Sequence, residues 1–423
     1  MNVLQTRLPS DLLLPERARL FHIGPPKTAT TAVQTAAAER REALLAHEVR
    51  YPGRARSHRT AMAAFVGRPL GWVATSGGEA AAPPRRYWDE LHDEIEADRT
   101  RRVLFGHEYA AGADDETARR FADAIGPRVH VVVTLRSYAA MLPSIWQEHN
   151  KAGNGEAFDD WLDRNLARPR TRRTIERFHV RHDQGQLVRR WAAAVGAGNL
   201  TVVVVHPADR RLVLEAFERM LGLPDGFLGD ADGGDRTNRS LSVPEIELLR
   251  RLNVLLREHE IPWHEYERLV VEGAAARLLR ERSPAEDEPR LRLPGWAADR
   301  ADEEAAQHVA EIAASGVRVV GDLAALAAPA PRRSVSEQDH REAGQVPVDA
   351  AVAALGGLLS AALGRGSDFV PNGASRPLVQ RRVCDVTTRD LIGVVSGRVG
   401  GRARTVLRGR LGRRRPSPPR GDG

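Results

Sequence analysis

Eight consecutive residues, Gly24-Pro25-Pro26-Lys27-Thr28-Ala29-Thr30-Thr31, stand between a short apolar run at 19–23 and an alanine-rich helical pattern over 28–47. A loop that opens a helix presents unpaired backbone N–H groups and the positive end of the helix dipole, a combination suited to phosphate. Pro25 and Pro26 lack an N–H, so the donors begin at Lys27 and run through Thr28, Ala29 and Thr30 to Thr31. Lys27 adds a full charge, and the threonines add short hydroxyl donors. The nucleotide-triphosphatase loop GxxxxGK[ST] carries its lysine directly after the second glycine. Counted from Gly24, those two places hold Ala29 and Thr30, and Lys27 lies earlier. The segment departs from the ATP pattern and keeps the capacity to hold phosphate.

A second group follows the strand-like run Val129–Leu135 (VHVVVTL), which ends in Arg136, with Ser144 eight residues further on. A guanidinium donates two parallel hydrogen bonds to a phosphate, and a serine two helical turns on supplies another donor. A strand serving Mg-ATP would end in Asp or Glu to hold the metal. This one ends in Arg, which points to a doubly phosphorylated ligand held without metal. A third run, Arg102–Phe105, leads into Gly106-His107-Glu108, where a proton could be accepted. Neighbouring side chains of an extended strand face opposite sides, so one of the two serves as base, Glu108 first and His107 second.

The elements that must position these groups read as alternating strands and helices. Strands are expected at 19–23, 102–105, 129–135 and 200–205. Helices are expected at 28–47, 87–98, 115–125, 138–150, 186–195, 209–221 and 244–258. Apolar strands alternating with helices predict an α/β fold with a P-loop-like parallel β-sheet flanked by helices. Ligands of such sheets bind at the carboxyl ends of strands, where all three polar groups fall. C-terminal helical additions and a disordered basic tail complete the reading. The divisions are an α/β domain over 15–327, a linker over 328–345, a helical extension over 346–400 and an Arg-rich tail over 401–423.

Composition narrows the function classes. The net charge of +7 equals the excess of eight Arg over one Asp in residues 401–423, so the rest of the chain is formally neutral and no nucleic-acid partner is expected. Weak contact of the basic tail with a membrane surface is the one electrostatic partner expected. One cysteine, Cys384, fits a reducing compartment, and neither a signal peptide nor a membrane span is read, so a cytoplasmic location is expected. The His and Cys spacings match no metal motif, and no metal is expected. Trp146 and Trp191 read as core rather than as adenine-stacking rings, and His47, His58 and His206 as structural or exposed.

PPKTATT, following an apolar strand and opening a helix, resembles the PKTGTT loop of the bacterial and other 3′-phosphoadenosine-5′-phosphosulfate (PAPS)-dependent sulfotransferases. Arg136 and Ser144 resemble that family's strand-Arg-x7-Ser pair, and Arg236-Thr237-Asn238-Arg239-Ser240-Leu241 resembles an R-x-N-x-S-L segment of bacterial members. The resemblance covers roughly residues 19–260. It implies PAPS as donor, adenosine 3′,5′-bisphosphate as product, and sulfuryl transfer to a hydroxyl or amine of a small molecule or glycan. It places Pro26, Lys27, Thr28, Ala29, Thr30 and Thr31 at the 5′-phosphosulfate, Arg136 and Ser144 on the 3′-phosphate, and Arg236 and Asn238 closing over it. Lys27 stabilises the leaving phosphate, and Glu108 or His107 is the base. The family has glycine at the place of Ala29, an exchange of little cost if the residue sits in a helical turn with negative φ. The acceptor pocket is expected from loops 52–86 and 150–185. Two other readings are an ATP-dependent small-molecule kinase and a homologue that binds nucleotide without turnover.

Overall fold

The computed structural model describes residues 8–71, 81–167, 178–206, 208–209, 211–229, 239–333 and 345–364. Arg236, Asn238, most of the expected linker and the tail at 401–423 lie outside the described residues.

Six strands form one sheet: β1 (Arg19–His22), β2 (Val49–Arg50), β3 (Arg102–Gly106), β4 (Val129–Leu135), β5 (Leu200–Val204) and β6 (Arg318–Val320). Their order is β2-β3-β1-β4-β5-β6, and every pairing is parallel. The fold is α/β, as the alternating pattern predicts. The central strands are apolar on both faces because both are covered. Leu20, Leu104, Val132 and Val203 point to one side, and Phe21, Phe105, Val131 and Val202 to the other.

The first side is covered by α1 (Thr30–Glu39) and the helix Arg211–Leu221, with α2 (Arg41–Ala46) alongside. The second is covered by α3 (Arg59–Val66), α4 (Arg86–Ala97), α5 (Asp115–Ile125) and the helix Gln184–Val195. There Phe21 stacks on Phe105 at 5.0 Å and meets the edge of Trp191 at 5.6 Å. In α5 the buried residues Ala118, Phe121 and Ile125 lie on one helical stripe, and the Asp114 carboxylate caps the Thr117 N–H.

A separate helical layer is built around α6 (Tyr138–Lys151), with Val243–Glu258, Gly295–Ala314, Val348–Ala362 and the run from Trp263 to Glu281, whose middle turns are π-helical. The helix Val348–Ala362 crosses that run backbone to backbone. A Cβ on Gly357 would sit 2.3 Å from the Gly273 carbonyl oxygen, so only glycine permits this crossing. Among the described residues, no helix is long and apolar enough to cross a membrane.

The expected helix over 28–47 breaks at Arg40 into α1 and α2. Two strands, β2 and β6, and the helix Gly295–Ala314 have no counterpart in the sequence reading. Strands of two and three residues are too short to show a period, and the buried stripe of Gly295–Ala314 is mostly alanine, which carries little contrast.

Candidate functional site

In the parallel sheet β1 lies between β3 and β4, so the segments leaving their carboxyl ends share one edge. These are the loop 24–31, the run 106–108 and Arg136 with α6. The order of the strands therefore gathers the three sequence-predicted groups.

The loop is fastened from beneath. Gly24 packs so tightly on β4 that an added Cβ would lie 1.9 Å from Thr134 Oγ1. The Thr28 hydroxyl donates to the Pro25 carbonyl at 2.7 Å and meets Thr134 Oγ1 at 2.8 Å. His22 Nε2 lies 3.1 Å from the same Thr134 oxygen. With Thr28's proton on Pro25, Thr134 must donate to Thr28 and His22 to Thr134, a one-way chain. Burial pushes the His22 imidazole down to about 3, so it is neutral here. The Thr28 hydroxyl is thus consumed inside the protein, and Thr28 can offer a ligand only its amide.

Above this staple the backbone turns through the left-handed region at Lys27 (φ 69°) and again at Ala29 (φ 67°). Such alternation curls successive N–H groups around a concavity that fits an anion. The condition under which Ala29 would cost little, a negative φ, is therefore not met. A Cβ in that conformation costs about 1–2 kcal/mol relative to the right-handed form. The strain is held by the staple and sits where a phosphate would bind. Thr30 Oγ1 is buried without a hydrogen-bond partner among the described residues, while Thr31 is exposed and Pro26, having no N–H, contributes shape alone. An orphaned hydroxyl beside a curled row of amides fits the phosphate end of a nucleotide.

Arg136 reaches back to this loop. Its Nη1 donates to the Lys27 carbonyl at 3.3 Å and its Nη2 to the Ala140 carbonyl at 3.1 Å, while Gln184 holds its backbone carbonyl at 2.8 Å. Ser137 caps α6, and Ser144 lies half-buried two turns along it, after Pro143. The same helix bears a carboxylate that the sequence reading missed. Glu148 pairs with Lys27 Nζ at 2.6 Å and with Lys151 Nζ. Burial alone would raise the Glu148 carboxyl, but Lys151 and Lys27 outweigh it and hold it at about 2. Glu148 therefore holds the Lys27 ammonium at the strand edge. Its only sequence signal is the i,i+3 spacing to Lys151, common on any helix surface.

Glu108 and His107 leave β3 in different surroundings. His107 is buried and extended, and its Nδ1 accepts from the Tyr109 N–H at 3.2 Å. Burial first, then the charge of Arg59, lowers its imidazole to about 3. Glu108 makes no hydrogen bond or ion pair among the described residues, and burial raises its carboxyl against the opposing charges of Arg181, Lys27 and Arg59. A carboxylate raised from its usual range and close enough to feel Lys27 suits proton acceptance better than an imidazole lowered to about 3.

Trp191 is fully buried against Phe21 and Phe121, and Trp146 packs on Phe158 and donates to the Glu156 carbonyl, so both are core residues. His58 is buried and bonded to Pro52 and Gly106, and His47 and His206 are exposed. Among the described residues, no cluster of three His, Cys, Asp or Glu side chains is placed to hold a metal ion. Arg59, Arg68 and Arg181 around Tyr109 carried no sequence signal, because their positions are unrelated along the chain.

No family model matches the chain, and no curated protein matches it. Among solved structures, a sulfotransferase from Alicyclobacillus acidocaldarius aligns with a TM-score of 0.37 at 14% identity, the match covering 60% of this chain and 95% of that one. A likeness that loose carries no function across.

Proposed function

We propose that this protein transfers a sulfuryl group from PAPS to a hydroxyl or amine of a small molecule or glycan. The observation that carries the reading is the contact of Arg136 with the Lys27 carbonyl, which places the guanidinium beside the phosphate loop at the junction of β1 and β4. Two phosphate-binding groups within a few ångströms suit a ligand with phosphates at both the 5′ and 3′ positions of one ribose. In this reading the amides of Lys27 to Thr31 and the Thr30 hydroxyl hold the 5′ end, and Arg136 and Ser144 hold the 3′-phosphate. Arg236 and Asn238 belong to the same proposal by resemblance alone.

Chemistry of this kind is in-line displacement, in which the protein positions groups and stabilises charge. Glu108 takes the proton of the acceptor as the acceptor oxygen or nitrogen bonds to sulfur. Lys27 and the loop amides neutralise the charge that moves onto the departing 5′-phosphate. Glu148 surrenders Lys27 to that phosphate and keeps Lys151.

Thermal unfolding with and without ligands tests the reading. Adenosine 3′,5′-bisphosphate without magnesium should stabilise the protein, by about 2.7 kcal/mol at a hundredfold excess over Kd. Stabilisation by Mg-ATP alone would instead support a kinase. Stabilisation by the bisphosphate with no turnover across an acceptor panel would leave a nucleotide-binding homologue.

A further inference from the structure

We infer that the acceptor is itself an anion, a hydroxyl-bearing compound with a carboxylate or sulfate ester that Arg59, Arg68 and Arg181 hold beside Glu108. The inference rests on the sulfuryl-transfer reading and extends it to the class of acceptor.

Arg59 opens α3, Arg68 lies just beyond its end, and Arg181 comes from the short helix Phe178–His182. Their guanidinium carbons stand 5.8, 5.0 and 5.8 Å from the ring centroid of Tyr109, the neighbour of Glu108. A tyrosine ring attracts a cation weakly and cannot offset the mutual repulsion of three. Among the described residues the balancing carboxylates are few. Glu267 lies 3.7 Å from Arg59, and Glu108 acts on the cluster through space. Among the described residues, three guanidiniums against two carboxylates leave one positive charge, and two once Glu108 takes up the acceptor's proton. An anionic acceptor supplies the missing charge at the moment of transfer.

Hydrogen bonding points the same way. Arg181 Nε and Nη2 are buried with no hydrogen-bond partner among the described residues, although the guanidinium packs against Gly112, where an added Cβ would lie 3.3 Å from Nε. Buried guanidinium donors left unpaired are costly, and a carboxylate or sulfate accepts two of them in parallel. Arg68 is exposed and can close over a ligand from the solvent side. The cluster stands on the β3 side of the phosphate loop and Arg136 on the β4 side, which separates it from the grip on the donor.

The test is calorimetric titration of the full chain saturated with adenosine 3′,5′-bisphosphate, using phenyl β-glucuronide, phenyl β-glucoside 6-sulfate and phenyl β-glucoside. At least one charged probe should bind roughly tenfold or more tighter than the neutral one, and the tighter of the two distinguishes carboxylate from sulfate ester. Arg68→Ala, at an exposed position, should shrink that gap about threefold or more and leave bisphosphate affinity unchanged. Equal binding of the three probes, or no binding of any, overturns the inference. So does a gap that survives Arg68→Ala, or a loss of bisphosphate affinity in that variant, which would assign the arginines to the donor. Failure of the wild type to bind the bisphosphate at all is a different result, and removes the sulfuryl-transfer reading together with this one.

Discussion

Glu108 and His107 are adjacent in the chain and opposite in character. His107 spends Nδ1 on the Tyr109 amide and stays neutral down to about pH 3. Glu108 keeps a carboxylate without a hydrogen-bond partner among the described residues, raised by burial and checked by Arg181. A base of raised pKa works only when ionised. The acid limb of kcat/KM should therefore lie above the ordinary glutamate range near 4.3. Glu108→Gln should lower kcat about 10²-fold or more with bisphosphate affinity nearly unchanged, and should abolish that limb. A variant with near wild-type turnover would remove Glu108 as base. The sequence made these two residues visible because they end an apolar strand. It gave no means of seeing Glu148 against Lys27, or three arginines around Tyr109, because those contacts join residues far apart in the chain.

At the scale of elements, the loop 24–31 is a strained turn that β4 holds down. Two non-glycine residues, Lys27 and Ala29, occupy the left-handed region, and the relay from His22 through Thr134 and Thr28 to Pro25 keeps them there. Thr134→Val keeps the shape and removes the relay's central oxygen. It leaves buried His22 and Thr28 short of a partner, so stability should fall by about 1–3 kcal/mol in chemical denaturation. Bisphosphate affinity should weaken with it, whereas the pH limb assigned to Glu108 should stay in place. Unchanged affinity would mean that the loop holds its form without β4. The central strands were legible because they are short, mostly apolar runs rich in Val, Leu and Phe. The two edge strands and the alanine-lined helix Gly295–Ala314 were not, since short pairings and small side chains leave no period to read. The conformation of Ala29 was equally hidden, because nothing in residue order distinguishes a helical first turn from a left-handed cap.

Across the whole molecule, several histidines are built into the interior as neutral groups. Burial is the first cause in each, lowering His22 and His107 to about 3 and His130 and His149 to about 4. The unfolded chain binds their protons near pH 6.5 and the folded chain does not. Stability is therefore full above that value and falls as pH drops through 6.5 towards 4. Each histidine adds up to about 1.4 kcal/mol per pH unit to the slope. Glu148, held at about 2, adds a further loss between pH 4.5 and 2. The melting temperature should thus decline steadily from pH 7 to pH 5, and a flat profile would show that these imidazoles protonate inside the fold.

The central claim is that one bisphosphorylated adenosine bridges the loop and Arg136. Calorimetric titration with adenosine 3′,5′-bisphosphate and with adenosine 5′-monophosphate measures what the 3′-phosphate contributes. In the wild type that phosphate should be worth about 1.5–3 kcal/mol, a preference of roughly 10- to 150-fold. In Arg136→Ala the two ligands should bind nearly alike, even if both bind less well. A preference that survives intact in Arg136→Ala, or a wild type that does not distinguish the two nucleotides, would contradict the account.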